Sequence, residues 1–387
     1  MGAVIPAKVL SPAAAPTPAS PSTARAINDR LALGLLQEEG PLTASRLKQL
    51  TGLSRPSVAD LVERLAEAGL IEVVGESGAQ RRGPNARLYG IVARRAHLAA
   101  LDVRTDSATA VVTDLLGRPL ASAALPVDAV DEAVDRLEAL TREAGAQALH
   151  TVVVGAPGLV APGSGELGGT VGLPSWHRDL VAALRRRLPA TVVVENETNL
   201  AALAEQRAGA AQDLDSFVLL WLGGGVGAAV VLDGRLRRGA SGGAGEIGFL
   251  PVPGTAGLPS ATDCGGGFHA LAGRAAVSAL AVEHGFRGPV EEAVAGAAGE
   301  AFLDALAERL ALGAAAVAAI LDPGCVVLGG ELGLAGGPAL AARVAHRLTT
   351  LTPAPTQVRA TALGGPAVLE GARLAAREAA QADLFAP

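Results

Sequence analysis

The side chains best suited to recognise another molecule lie in a short stretch near the N-terminus, from Thr51 to Val74. Its apolar residues recur at positions i, i+3, i+4 and i+7, the spacing that buries one stripe of a helix. On the opposite face, Arg55 at the helix start can reach a guanine edge or a phosphate, and Ser57 can donate to a phosphate. The predicted DNA-contacting residues of this helix are Ser54, Arg55, Ser57, Asp60 and Arg64.

A second group of arginines follows in the segment Gly78–Arg87, among Gly, Pro and Asn residues. This segment would form the tip of a hairpin whose strands are Leu70–Val74 and Arg87–Val92. An arginine-rich wing suits a phosphate backbone or a narrow minor groove. The alternative is a module that contacts protein, with solvated arginines. The predicted wing contacts are Arg81, Arg82 and Arg87.

Three predicted helices would position these side chains. The first is Arg25–Gln37, Thr43 can cap a short second helix, and Ser54 can cap the third. A helix pair that places its second member in the major groove is the helix-turn-helix arrangement. We therefore predict a winged helix-turn-helix domain at residues 25–93, preceded by a disordered tail at 1–24 that is rich in Ala, Pro, Ser and Thr.

Composition narrows the class of protein. A chain of 387 residues is too long for one ordinary core, and a net charge of -6 argues against a protein that coats nucleic acid along its whole surface. Residues 25–95 nevertheless carry 11 Lys+Arg against 8 Asp+Glu, so the basic surplus lies where DNA contact is predicted. The two cysteines form no disulfide framework, and no run of apolar residues is long enough for a membrane span. We expect a cytoplasmic protein.

From His97 onward the pattern alternates between strands and helices. The stretches that start at Leu98 and at Phe217 both predict strand, turn, strand, short turn and strand. A duplicated β-β-β-α-β-α unit would give two lobes with a cleft between them. The later elements predicted for the second copy are a helix near Ala301–Leu321, a strand at Cys325–Leu328 and a helix near Ala367–Ala380.

Residues 25–380 resemble the ROK family of repressors, open reading frames and sugar kinases. The clearest stretches are VENETNLAALAEQRAGAA (Val194–Ala211) and LLWLGGGVGAAVVLDGRLRRGASGGAGEIGFLPV (Leu219–Val252). The pieces TGLSRPSV and QRRGPNARLYGI resemble the DNA-binding module of the family's repressor branch. The resemblance implies an α/β chain in which the winged helix-turn-helix precedes a two-lobed, actin-like ATPase or sugar-kinase domain of the duplicated ribonuclease H-like type. This domain would span 94–387, with lobes at about 94–212 and 213–387 and a C-terminal helix that packs back on the first lobe.

The resemblance also locates two phosphate loops, and the first departs from the kinase pattern. Family kinases carry Asp-x-Gly-Gly-Thr there, whereas this chain has side chains at the glycine positions and Asp106, which would repel phosphate. The second loop still looks permissive, although it can equally be a hairpin turn retained for folding. The predicted degenerate phosphate-loop residues are Asp102, Arg104, Thr105, Gly223, Gly225 and Gly227.

The position of the catalytic base is also altered. The family's Asn-Asp-x-Asn pattern reads Asn196-Glu197-Thr198-Asn199, and a misplacement of about 1 Å can cost on the order of a hundredfold in rate. Binding tolerates the longer side chain better, because Glu197 can still accept hydrogen bonds from hydroxyl groups. The resemblance implies ligand contacts at Asn196, Glu197 and Glu246; the alternative is that these residues only cap a helix and a turn.

No metal or cofactor is predicted. Phe249 stands where the family's His would contact both sugar and zinc, and the matching loop around Cys264 keeps one cysteine. A structural zinc site needs about four nitrogen or sulfur ligands. A lone tryptophan, Trp176, could be a platform for a sugar but is expected to serve packing.

These features lead to one hypothesis and two alternatives. The hypothesis is a non-enzymatic regulator that binds a double-stranded DNA operator as a homodimer or homotetramer and represses carbohydrate uptake or catabolism genes. A sugar or sugar phosphate in the degenerate cleft would control it. The alternatives are an ATP-dependent sugar kinase with an added DNA-binding head, and a regulator that senses no sugar.

Overall fold

The computed structural model describes residues 21–77, 85–168, 174–255, 257–261, 265–363 and 366–385. The chain divides into two compact units. One comprises the described residues up to Val92 together with 382–385, and the other comprises residues 93–381.

The residues up to Val92 form a trihelical head with a small antiparallel sheet. Its strands pair in the order β1-β3-β2, and one leucine from each helix, Leu33, Leu47 and Leu61, is fully buried. This arrangement confirms the predicted helix-turn-helix fold. The elements are α1 (Pro21–Glu38), β1 (Leu42–Thr43), α2 (Ala44–Thr51), α3 (Arg55–Glu67), β2 (Ile71–Ser77) and β3 (Ala86–Ile91).

The start of α1 corrects the predicted tail at 1–24. The helix begins at Pro21, so residues 21–24 are helical. Proline is favoured in the first turn of a helix, where its missing N–H has no intrahelical partner to lose. Residues 1–20 lie outside the described part of the chain, as does the segment 78–84 at the tip of the wing.

The second unit contains two mixed sheets of five strands with the same topology. The first sheet has the order β6-β5-β4-β7-β8 and the second has β11-β10-β9-β12-β13, so each strand has its counterpart five strands later. The predicted duplication is therefore confirmed. The first lobe contains β4 (His97–Val103), β5 (Ala108–Asp114), β6 (Pro119–Ala124), α4 (Val130–Glu143), β7 (Thr151–Ala156), α5 (Trp176–Arg187), β8 (Thr191–Asn196) and α6 (Glu197–Ala208).

The second lobe repeats this order with more helices between its third and fourth strands. Its elements are β9 (Phe217–Leu222), β10 (Val226–Leu232), β11 (Arg235–Arg237), α7 (His269–Ala272), α8 (Arg274–Glu283), α9 (Val290–Glu292), α10 (Glu300–Leu321), β12 (Cys325–Gly329), α11 (Gly330–Leu348), β13 (Gln357–Ala360) and α12 (Ala367–Leu384). The strands β7, β9 and β12 are buried along their whole length. Continuous apolar runs are typical of strands with both faces covered.

Helix α11 is an element that the sequence pattern does not predict. Its sequence contains Gly336, Gly337 and Pro338, and the chain kinks at Gly337, where φ is +50°. Leu340 and Val344 after the kink are buried at helical spacing. Tertiary packing therefore holds a helix across residues that would end an isolated one.

Helix α12 packs back on the first lobe. Arg373 Nη1 donates to the carbonyl of Gly117 at 2.7 Å. Gly371 lies so close to α6 that a Cβ there would be 1.9 Å from the carbonyl oxygen of Leu200. The C-terminal helix thus joins the lobe formed by the first half of the unit. No helix in the described ranges combines the length and hydrophobicity that a membrane crossing requires.

Candidate nucleic-acid interface and ligand cleft

Helix α3 presents the predicted recognition residues as its sequence pattern requires. Ser54 is the N-cap, and its Oγ accepts a hydrogen bond from the backbone N–H of Ser57 at 3.3 Å. Arg55 and Ser57 are exposed in the first turn. The buried stripe consists of the predicted residues Val58, Leu61, Val62 and Leu65.

The two charged residues farther along α3 pair with each other. Arg64 contacts Asp60 and also donates to Asp29 of α1 at 2.6 Å. Asp60 remains exposed, whereas Arg64 is half-buried. Arg64 would therefore have to break these internal ion pairs before it could contact DNA. Arg55 forms no ion pair among the described residues.

The wing is only partly described. Strands β2 and β3 form the predicted hairpin, with Arg87 exposed opposite Glu76. Asn85 donates to Glu76 at 3.1 Å and so links the two strands at the last described step. Arg81 and Arg82 lie outside the described residues.

Arg104 joins the two lobes of the second unit. It follows β4, and its Nε donates to Asp102 at 3.1 Å. Its Nη1 donates to Glu331 in the first turn of α11, and its guanidinium lies 5.8 Å from the ring centre of Trp221 at the end of β9. A cation over an indole face is attracted by the ring quadrupole. The first predicted phosphate loop is thus filled by an arginine that bridges the cleft; Thr105 beside it is exposed.

Glu331 and the second glycine turn fit tightly together. A Cβ at Gly223 would lie 2.7 Å from Glu331 Oε2 and 2.8 Å from Trp221 Nε1. Gly223 also closes the turn by donating to the carbonyl of Gly225 at 3.0 Å. Gly227 packs against α6, because a Cβ there would be 3.3 Å from Thr198 Oγ1. The glycine turn at Gly223 therefore lies directly beside the carboxylate of Glu331.

Glu197 lies at the start of α6 and faces the same group of charges. Burial, together with the charges of Asp102 and Glu331, raises the pKa of Glu197 to about 7, although Arg104 opposes this shift. Burial also raises the pKa of Asp102, which Arg104 partly offsets. Such a carboxyl group can accept or donate a hydrogen bond near neutral pH. The structure thus brings together Asp102, Arg104, Glu197 and Glu331.

Asn196 mainly serves the local fold. Its Oδ1 caps α6 by accepting from the N–H groups of Thr198 at 2.8 Å and Asn199 at 3.3 Å. Its Nδ2 donates to the carbonyl of Gly158 at 3.0 Å. One amide hydrogen remains for a ligand. The capping alternative therefore describes most of what this side chain does.

Glu195, which precedes this pair, anchors a second bridge between the lobes. It is buried, and it accepts from Asn199 Nδ2 at 2.9 Å and from the backbone N–H of Asn196 at 3.0 Å. Arg238, which follows β11, donates to Glu195 at 2.6 Å. A buried carboxylate with three donors is fixed in place, so Asn196 and Glu197 are held at a defined point of the cleft.

Glu246 lies in the second lobe, close to Gly243, where the chain approaches Leu159 of the first lobe. It precedes a short 3-10 turn, Ile247–Phe249, without capping it through its side chain. The surrounding protein raises the pKa of Glu246 even though the side chain remains accessible to solvent. No hydrogen bond or ion pair joins Glu246 to Asn196 or Glu197 among the described residues. Gly245 before it has φ +94°, and a Cβ would lie 1.9 Å from the carbonyl oxygen of Ala228.

The described residues at the family's zinc position do not by themselves make up a zinc site. Phe249 supplies no ligand, and His269 packs beside Gly248, where burial lowers its pKa. The described ranges contain no cluster of three or more potential ligands, and Cys264 lies outside them. A structural zinc needs a nearly complete set of four nitrogen or sulfur donors.

Trp176 and His177 support the loop that carries Arg104. Trp176 is buried in the core of the first lobe, which confirms its packing role. His177 Nε2 lies 3.0 Å from the carbonyl oxygen of Arg104 and must donate to it. Burial lowers the pKa of His177, so the ring is neutral near pH 7. His177 therefore fixes the backbone from which the Arg104 guanidinium reaches across the cleft.

The sequence pattern missed the partners of these residues. Glu331 is separated along the chain from the predicted site residues, whereas Trp221, Glu195 and Arg238 lie within the quoted family-like stretches, where their type and spacing indicate no role. A signal for Glu331 does exist, because Gly329-Gly330-Glu331 follows a buried strand and starts a helix. In the folded unit this glutamate, at the start of α11, contacts Arg104, which follows β4.

Comparison with known proteins gives two family matches. The model of the ROK family matches residues 98–379, and the model of the MarR family matches residues 27–83. The DNA-binding transcriptional dual regulator NagC of Escherichia coli K12 is 28% identical over 241 residues. These residues cover 58% of this chain, and the chain spans 57% of the length of NagC.

Solved structures share the fold. A ROK family transcriptional regulator, described as a homologue of the E. coli MLC protein, aligns with a TM-score of 0.73 at 21% identity, over 94% of this chain and 98% of its own. A ROK hexokinase from Thermus thermophilus aligns with a TM-score of 0.60 at 28% identity, over 73% of this chain and 98% of its own. Regulators and kinases are thus both among the similar proteins.

Proposed function

This chain belongs to the ROK family, and we propose that it is a transcriptional repressor of carbohydrate uptake or catabolism genes. A DNA-binding head at residues 25–93 would bind an operator, and a sensor domain at 94–387 would bind a sugar or sugar phosphate. The relative NagC is a DNA-binding regulator by its description. A homodimer or homotetramer would match a palindromic operator.

The observation that carries the proposal is the surface of α3. A serine-capped helix start with exposed Arg55 and Ser57 is the geometry that meets DNA in helix-turn-helix proteins. The β2–β3 hairpin adds Arg87 and leads to the arginines of the wing. We propose Ser54, Arg55, Ser57 and the wing arginines as the main contacts, and Asp60 and Arg64 as contacts that require their ion pairs to rearrange.

The experiment is a selection of bound sequences from random DNA by the purified full chain, followed by titration of the selected operator. Arg55→Ala should weaken binding by about 1–3 kcal/mol and relax the preference at one base pair. Double substitution of Arg81 and Arg82 should weaken binding evenly across sequences and reduce the salt slope by about two. Arg136→Ala, which changes a half-buried arginine of α4 outside the DNA-binding head, is the matched control. Full affinity and preference in the Arg55 variant would contradict the proposal.

A second candidate function, ATP-dependent sugar phosphorylation, is favoured by one observation. A carboxyl group with a pKa of about 7 is well suited to remove a proton from a hydroxyl group. The ion pair of Arg104 and Glu331 counts against it, because it holds a carboxylate directly beside Gly223 of the second glycine turn. Sugar-dependent ATP turnover that disappears in Glu197→Gln would establish this activity.

A further inference from the structure

We propose that the cleft selects ligands without a phosphate group, because the Glu331 carboxylate takes the place of a phosphate beside Arg104 and the Gly223 turn. This inference rests on the proposed function in that the natural ligand is taken to be a sugar. It narrows that ligand to an uncharged, hydroxyl-bearing sugar and makes Arg104 and Glu331 the residues that determine specificity.

Two carboxylates of the protein already bind the guanidinium of Arg104. Nε bonds both carboxylate oxygens of Asp102, at 3.1 and 3.3 Å, and Nη1 bonds Glu331. One face of the guanidinium lies towards Trp221. Arginine recognises phosphate through paired N–H groups, Nε with Nη2 or Nη1 with Nη2, and here a carboxylate already occupies one member of each pair, while Nη2 has no such partner among the described residues.

The position directly beside Gly223 is also filled. Glu331 Oε2 and Trp221 Nε1 both lie within 3 Å of the position of a Cβ on Gly223. Glu331 is in the first turn of α11, where the helix dipole favours a negative charge. The N-terminus of α11 therefore already has its anion. A phosphate could enter this position only after Glu331 leaves.

The local charge opposes an anionic ligand as well. Three carboxyl groups, from Asp102, Glu197 and Glu331, surround one guanidinium. The added charge of a phosphate would meet repulsion in a partly buried site, where charges interact more strongly than in water. Hydroxyl groups meet no such repulsion and can donate to the carboxyl group of Glu197, which has no hydrogen bond within the described ranges.

The first test measures binding of inorganic phosphate and of ADP to the full chain by calorimetry. The wild type should show no binding at millimolar concentration. Glu331→Gly, which removes both the charge and the bulk, should bind at least tenfold more tightly, and Glu331→Gln should show a smaller gain. Adding Arg104→Ala to Glu331→Gly should abolish the gain. Glu143→Gln, the same change of charge on the exposed surface of α4, is the matched control and should resemble the wild type.

The outcomes separate this inference from the proposed function. Binding of phosphate or ADP to the wild type, or no gain in either Glu331 variant, overturns the inference. A panel of sugars and their phosphates provides the second test. Preference of the wild type for a sugar over its phosphate by at least tenfold, about 1.4 kcal/mol, supports it, and the reverse preference overturns it. A panel in which nothing binds contradicts the proposed sugar response, while the phosphate test still decides what Glu331 does.

Discussion

Replacing Glu197 by glutamine should stabilise the sensor domain, and the gain should depend on pH. Glutamine keeps the shape of the side chain and removes the charge whose burial raises the pKa of Glu197 from 4.5 to about 7. Each pKa unit corresponds to about 1.4 kcal/mol, so the charged form costs at most about 3.5 kcal/mol of folding free energy. Because the side chain keeps some contact with solvent, we expect a gain of about 1–3 kcal/mol.

The direction in which stability changes with pH follows from the number of protons that each state binds. In the folded state Glu197 holds its proton up to about pH 7, whereas in the unfolded state it loses the proton near pH 4.5. The folded state therefore binds more protons in this window, and stability falls as the pH rises from about 4.5 to about 7. Glu197→Gln should consequently gain its full stabilisation at pH 8 and less than about 1 kcal/mol at pH 5.

The assay is urea unfolding of the full chain at these two pH values, followed by tryptophan fluorescence. The chain has two tryptophans, Trp176 and Trp221, and both lie in the second unit, so the signal reports the sensor domain alone. Glu143→Gln on α4 is the control, and its effect should be small and equal at both pH values. An equal gain at both pH values, or destabilisation at pH 8, would refute the account of Glu197 as a buried charge.

Two further predictions concern how the lobes are held, and both use the same fluorescence assay. Gly371→Ala places a methyl group 1.9 Å from the carbonyl of Leu200 and should lower the free energy of unfolding by about 3 kcal/mol, whereas Gly257→Ala, in open space, should have almost no effect. Equal stability of the two variants would show that α12 and α6 are not in close contact. Arg238→Ala should cost about 1–2 kcal/mol, because it leaves buried Glu195 without its charged partner. Its neighbour Arg237, paired with exposed Asp233, should tolerate the same change within about 0.5 kcal/mol, and no difference between the two would contradict a role for Glu195.

Local sequence patterns were sufficient to predict the helices of the N-terminal head. Thr43 and Ser54 cap the helices that they were expected to cap, and the buried stripe of α3 consists of the residues at helical spacing. These features depend on neighbours within four residues, so sequence alone contains them. The pairing of Arg64 with Asp29 was not predictable in this way, because it depends on how α1 crosses α3.

The repeated strand pattern predicted the two sheets for a similar reason. Buried runs such as β9 and β12 read directly as strands, and duplication supplied their order. The sequence pattern did not predict α11, because Gly337 and Pro338 interrupt it. Leu340 and Val344 after the interruption are nevertheless buried at helical spacing. Propensity is a weak guide where the core determines the outcome.

The cleft shows why a lost motif does not by itself reveal a new function. The missing glycines of the first phosphate loop indicated what the site no longer does, but the residue that replaces them gains its meaning from Glu331, which is 227 positions away. Until that carboxylate is placed beside Gly223, Arg104 could equally be taken for a receptor of phosphate. The same guanidinium thus supports opposite conclusions about the ligand, and only its partner across the cleft decides between them.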